Sequence, residues 1–230
     1  MSTTVRNVVF ALMMALAVGP ARADQYWVAY EGNDFPENEG WTRIIEGDGP
    51  AVRTLADGVL TIDSLWSLQV ADGYRMDRSM NPAVGEEFVM RWRLRVNRVE
   101  GTWPYDPGVA LFSDDEWGLG FQFGEAELRS VFEHRTLALA PGVFHEFEVR
   151  SRDMRTYDLS LDGMPALVGA FWEPAVTRSY VAWGDAGRGS SSVCDWDYFE
   201  FGVVPEPACG VLPMLACAVL YRRCARRRST

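Results

Sequence analysis

Phe88-Val89-Met90-Arg91-Trp92-Arg93-Leu94-Arg95-Val96 decides the fold. Phe88, Met90, Trp92, Leu94 and Val96 fall on one face of an extended chain and Arg91, Arg93 and Arg95 on the other. A strand with one buried and one wet side requires this period of two. Shorter runs of the same kind lie at 41–45, 59–62, 109–112, 119–123, 143–149, 156–161, 179–183 and 193–201. Gly or Pro punctuates most of the gaps, at 47–50, Asp57-Gly58, Asp72-Gly73, Asn81-Pro82, 104–108, Pro141-Gly142, Asp162-Gly163 and 184–189. No segment keeps a helical period over three turns, so the pattern predicts an all-β, antiparallel two-sheet sandwich.

Outside that pattern lie two ends of different character. Residues 1–23 have a short polar start with Arg6, an apolar run from Val8 to Val18, and Ala21-Arg22-Ala23 before Asp24, the three zones of a secretory signal peptide. At the other end Pro205-Glu206-Pro207 is followed by an apolar stretch from Ala208 to Tyr221. Arg222, Arg223, Arg226, Arg227 and Arg228 come next. Fourteen residues rise only about 21 Å as a helix, short of a hydrocarbon core of roughly 30 Å. The Arg cluster favours a cytoplasmic end for any inserted form. A Pro-Glu-Pro triplet, a short apolar segment and a terminal Arg cluster together resemble the PEP-CTERM sorting signal of exported bacterial proteins. The resemblance implies an exosortase-type membrane enzyme as partner, transient membrane anchoring, and delivery to the cell surface or extracellular matrix. Pro213, inside the apolar run, departs from the usual uninterrupted tract and would kink a helix.

The expected organisation is therefore a signal segment at 1–23, one domain at 24–203 and a sorting segment at 204–230. The whole chain of 230 residues has net charge -10, and all of its 22 basic residues are Arg. Two of those Arg belong to the first segment and five to the last, so the domain carries a net charge near -16. Such a surface opposes nucleic acid, which is bound through cationic contacts to phosphate. Three of the four Cys fall in the tail. Cys194 is left alone, without a partner for an intradomain disulfide despite an oxidising destination. A small buried hydrophobe is the usual fate of such a residue.

Two segments carry a second resemblance. The run 142–150, followed by Tyr157-Asp158-Leu159-Ser160-Leu161-Asp162-Gly163, looks like the central hairpin of laminin-G-like or concanavalin A-like jelly rolls. The Gly/Ser-rich stretch 184–192, leading into Asp195-Trp196-Asp197-Tyr198-Phe199, is similar to the last loop and strand of such domains in PEP-CTERM proteins. The resemblance implies a jelly-roll sandwich, flanked here by an N-terminal signal helix and a short C-terminal hydrophobic helix. The family includes sugar binders, peptide binders and glycoside hydrolases, so fold alone assigns no activity.

Asp195-x-Asp197-x-x-Glu200 resembles the acidic strand motif of laminarinase-type β-glucanases, with Asp where that family begins with Glu. In a regular strand Asp195 and Asp197 share a face and Glu200 points the other way, so a bulge is needed to bring it round. Strand carboxylates are more often solvated or paired with Arg, and the expectation is a noncatalytic protein with a glycoside hydrolase or polysaccharide lyase as the alternative. His145-Glu146 lacks a second His four residues on, and the glycines at 118, 120 and 124 miss a dinucleotide fingerprint. No motif demands a cofactor. Calcium is the ion the oxygen-rich loops would suit, with Asp114, Asp115 and Glu116 in one turn, or Asp185 with Asp195 or Asp197 near the last loop, as candidate ligands. For an extracellular polysaccharide, exposed rings are needed; Trp103, Tyr105 and Trp172 are the candidates, and most of the other Trp are expected in the core. The Arg91, Arg93 and Arg95 ladder is expected to pair with Glu146 or Glu148 across strands.

Overall fold

The computed structural model describes residues 28–113, 117–173, 178–185 and 189–205. The signal segment, the tail beyond Pro205, both expected terminal helices, and Asp114, Asp115 and Glu116 lie outside those residues. Within them the strands are β1 (Val28–Tyr30), β2 (Thr42–Gly47), β3 (Val52–Ala56), β4 (Val59–Asp63), β5 (Val70–Asp77), β6 (Glu86–Gly101), β7 (Pro107–Phe112) and β8 (Gly118–Phe123). They continue as β9 (Glu127–Ser130), β10 (Thr136–Ala138), β11 (His145–Ser151), β12 (Thr156–Leu161), β13 (Met164–Ala170), β14 (Tyr180–Asp185) and β15 (Ser190–Pro205). A single turn of 3₁₀-helix, Pro36–Glu39, precedes β2.

The quoted stretch lies in β6, which runs antiparallel to β15 over 16 residues and forms the spine of one sheet. That sheet has the order β13-β12-β11-β6-β15-β4-β3, with β1 also on β15; the second has the order β10-β9-β8-β7-β14-β5-β2. Every pairing among them is antiparallel. The alternation places Met90, Trp92 and Leu94 in the core between the sheets, as expected. All nine expected strands are present, most of them longer than the clean alternation that marks them. Six more (β1, β3, β5, β9, β10 and β13) carry weaker signals; β13 is an edge strand, which is where its Pro165 is tolerated.

Three Asp-Gly pairs end differently. At Asp162 (φ 51) and Gly163 (φ 75), and at Asp57 (φ 52) and Gly58 (φ 81), both residues are left-handed and close tight hairpins. Asp72-Gly73, expected as a gap, lies inside β5, and Gly108 and Gly184 likewise lie inside β7 and β14. The expectation of turns there is corrected: the three glycines meet one another in register, a placement whose consequence appears at the site.

Rings dominate the core. Trp92 stacks on Phe147 (5.3 Å between centroids, 14°) and Trp183 on Phe199 (5.5 Å, 10°), while Trp41 meets Phe199 edge-on at 5.6 Å. Each such pair adds roughly 0.5–1.5 kcal/mol beyond the area it buries. Of the described Trp, Trp41, Trp92, Trp183 and Trp196 are buried and Trp117 packs against the core, while Trp103 and Trp172, as expected, and Trp66 are exposed. Cys194 is a buried free thiol; burial pushes its pKa well up.

Candidate functional site

The two sheets turn outward faces of opposite chemistry to solvent. On the eight-stranded sheet, Asp195 lies in register with Arg95, Tyr198 with Arg93 and Glu200 with Arg91. Asp197 is the extra residue of a bulge between Trp196 and Tyr198. The bulge resets the alternation, so Glu200 shares the outer face with Asp195 while Phe199 and Phe201 enter the core. A second bulge, at Asn97 of β6, does the same for Val99.

All three carboxylates are engaged by Arg. Asp195 lies 2.6 Å from Arg95, Asp197 2.5 Å from Arg93, and Glu200 3.8 Å from Arg91. Asp195 also accepts hydrogen bonds from Thr61 Oγ1 (2.7 Å) and Asn97 Nδ2 (2.8 Å). Burial would raise its pKa, but the bonds from Asn97, Thr61 and Arg95 hold it below the usual carboxylate range. Glu148 is held down in the same way against its burial, by Arg150 and Arg91. A glycosidase acid needs the reverse, a carboxyl that keeps its proton near neutrality. The expected partnership of the ladder is met by Arg91 with Glu148 and corrected for Glu146. That residue faces Arg93 in register, but Arg93 turns to Asp197 on the bulge. Glu146 instead bonds Tyr198, whose phenol is pushed up by burial and by that charge.

On the seven-stranded sheet the outward positions are small. Ala71 and Gly73 (β5), Gly108 and Ala110 (β7), Gly120 (β8) and Ala182 (β14) line the floor of an open groove of about 290 Å³. Gly73 pairs with Gly184, and Gly184 with Gly108, so the stripe crosses three strands at one level. A Cβ on Gly184 would lie 2.5 Å from Gly73 Cα, and one on Gly73 would lie 2.7 Å from the Trp183 carbonyl oxygen. Gly184 also has φ +131, so these two positions admit no side chain. Ile44 and Glu46 of β2 wall one side, Val131 and Phe132 the other, and Phe112 and Gln122 also line it. Phe132 stacks on Trp172 (4.9 Å, 18°) and Phe112 packs on Tyr180 (4.8 Å).

The sequence-derived aromatic candidates divide. Trp172 is half exposed and, bridged to Gly118, stands at the Phe132 margin of the groove. Trp103, also exposed, lies over the Arg129 guanidinium (5.6 Å), and Arg129 pairs in register with Gln122 of the groove. Tyr105 is corrected: it is buried, and its hydroxyl donates to Glu127 Oε1 (2.6 Å) on β9. It braces the loop carrying Trp103, and burial with the Glu127 bond pushes its phenol up to about 12. Asp185, a described calcium candidate, is buried at the end of β14 opposite Asp72, which Arg43 and the Ala51 N–H hold. Among the described residues no group of three or more His, Cys, Asp or Glu is placed to hold a metal.

No protein-family model and no curated protein matches the chain. Among solved structures it is similar to an endo-1,3-β-glucanase from Streptomyces sioyaensis, with TM-score 0.59 and 12% identity over 82% of this chain and 99% of that one. It is also similar to the cellulose-induced protein Cip1 (TM-score 0.50, 12% identity, 80% of this chain and 100% of that one). A third likeness is to a botulinum neurotoxin serotype D/C binding domain (TM-score 0.50, 10% identity, 79% and 49%). The fold is a concanavalin A-like jelly roll. In this jelly roll the acidic trio and the groove belong to opposite sheets, so no described carboxylate of the trio faces the groove.

Proposed function

We propose that the chain is an exported, noncatalytic carbohydrate-binding jelly roll of the cell surface or extracellular matrix. Residues 204–230 sort it through an exosortase-type enzyme, with calcium not required for binding. One observation carries the binding part: an open groove on one sheet has the exposed ring of Trp172 stacked on its wall residue Phe132, with the exposed Trp103 further out over Arg129, the register neighbour of Gln122. Aromatic faces of this kind stack on the apolar faces of sugar rings. The alternative, a glycoside hydrolase or lyase on Asp195, Asp197 and Glu200, draws support from the bulge that places Asp195 and Glu200 on one face. Against it stand the Arg partners of all three.

A polysaccharide screen with the exported protein tests both. Binding is expected, with at least tenfold weakening by Trp172→Ala and no reducing ends released. Hydrolysis that vanishes in Asp197→Asn would overturn the noncatalytic reading. For the sorting part, deleting residues 204–230 is expected to move the protein from the cell envelope to the medium. Unchanged retention would refute the role of the tail.

A further inference from the structure

The glycan reading leaves open what enters the groove itself. Its floor is backbone and methyl groups, and the floor strands β5, β14, β7 and β8 are paired edge to edge, so their N–H and C=O groups are spent on one another. Its walls are Ile44, Val131 and Phe132, with Phe112 also in the lining. Of the outward-facing lining residues, Glu46 and Gln122 carry the polar side chains; Tyr74, Trp183 and Asp185 are buried. A bare sugar ring pressed onto this floor would find only Glu46 and Gln122 for its several hydroxyls, leaving the rest in the unfavourable case of a desolvated polar group without a partner. An apolar substituent meets no such penalty.

Charge narrows the choice further. The domain as a whole is strongly acidic, which disfavours a polyanionic uronic acid or sulfated polymer relative to a neutral one. An amide substituent carries an N–H that the floor cannot accept and that would have to reach Glu46 or Gln122, whereas an ester carries no donor. The space, about 290 Å³, holds roughly ten groups the size of a water molecule at about 30 Å³ each, enough for several acetyl groups or one medium acyl chain.

Resting on the glycan-binding reading, we propose that the groove receives O-acyl groups of a neutral polysaccharide whose sugar rings lie against Trp172 and Trp103. The polymer is recognised by its ester substituents first and by its sugar rings second. Residues that set the specificity are the floor Ala110 and Ala182 and the wall Phe132.

The test is an array of neutral bacterial and plant polysaccharides, each presented as the native O-acetylated polymer and after mild alkaline de-O-acetylation, probed with the full exported protein. Binding at least tenfold tighter to the acetylated member of a pair is expected. Ala182→Leu, which fills the floor from an outward position, is expected to abolish that preference while unfolding at the wild-type temperature. Equal binding to both members overturns this inference and leaves glycan binding standing. Failure to bind either member of any pair overturns the glycan reading, and this inference with it. Should Ala182→Leu unfold early, Phe132→Ala, on the wall, gives the same readout, and an undiminished preference there also overturns the proposal.

Discussion

Replacing Asp195 by Ala separates a structural from a catalytic acidic trio. The Asp195 side chain is 5% exposed and takes two bonds from Arg95 (2.9 and 2.6 Å), one from Thr61 (2.7 Å) and one from Asn97 (2.8 Å). A hydrogen bond to a charged group contributes about 1.5–3 kcal/mol net, but Arg95 is 36% exposed and Asn97 is exposed, so both return to water at little cost. Their share falls toward that of a surface pair, about 0.2–1 kcal/mol. The sum is a loss of about 2–3 kcal/mol, or roughly 5–10 °C in Tm for a domain of this size. Urea unfolding followed by tryptophan fluorescence measures it, with a double-mutant cycle against Arg95→Ala expected to give about 1 kcal/mol of coupling. Because the folded pKa lies below the ordinary 3.8, the unfolded chain takes up the proton first as pH falls. The carboxylate's contribution is therefore complete at neutral pH, and declines below about pH 4 through its folded value. Wild type and Asp195→Asn should thus converge in stability in strong acid. A loss under about 0.5 kcal/mol for Asp195→Ala, or a wild-type advantage unchanged down to pH 2, would refute the reasoning.

Three further outcomes are expected. Gly184→Ala adds a Cβ 2.5 Å from Gly73 Cα at φ +131 and should destabilise by about 3 kcal/mol or more; a midpoint shift worth under 1 kcal/mol would mean the strands do not approach as described. Cys194, buried and with its thiol pKa pushed up, should escape iodoacetamide in the native full chain and react in denaturant, as peptide mapping would reveal; native labelling would contradict its burial. The Tyr105 phenol, raised to about 12 by burial and then by its bond to Glu127, should ionise at lower pH in Glu127→Gln, and phenolate absorbance during alkaline titration would show no change if Glu127 were not its partner.

How far the sequence leads is clearest at the spine. Trp92 and its alternating neighbours mark β6 without ambiguity, because Phe88, Met90, Trp92, Leu94 and Val96 are buried on one face while Arg91, Arg93 and Arg95 share the other. The bulges are also legible in retrospect. Inward residues of β15 run Cys194, Trp196, then Phe199, Phe201, Val203, a change from even to odd that a regular strand cannot make. The same change separates Val96 from Val99 on β6. Geometry alone said that Glu200 needs a bulge to join Asp195; the parity of the large residues says where it is. What no local pattern supplied was the partner of Arg93, since Asp197 reaches it only by leaving the ladder.

The groove escaped notice for a physical reason. Glycine signals a turn in most contexts, and Asp72-Gly73, Gly108 and Gly184 look like turns when taken one at a time. Taken together they repeat: Ala71-x-Gly73, Gly108-x-Ala110, Gly118-x-Gly120 and Ala182-x-Gly184, small residues alternating with residues that include Val109, Leu119 and Trp183. That is strand periodicity with the outward positions emptied. Gly73 and Gly184 admit no side chain, but β-branched residues at the outward Ala71, Ala110 and Ala182 would stabilise the sheet further while filling the hollow. A sandwich that served only as a scaffold would gain from filling it. The stripe therefore marks where stability is given up for shape. The ionic face of the opposite sheet, with its carboxylates held by Arg, makes the contrary choice, which is why binding is expected on the seven-stranded sheet and rigidity on the eight-stranded one.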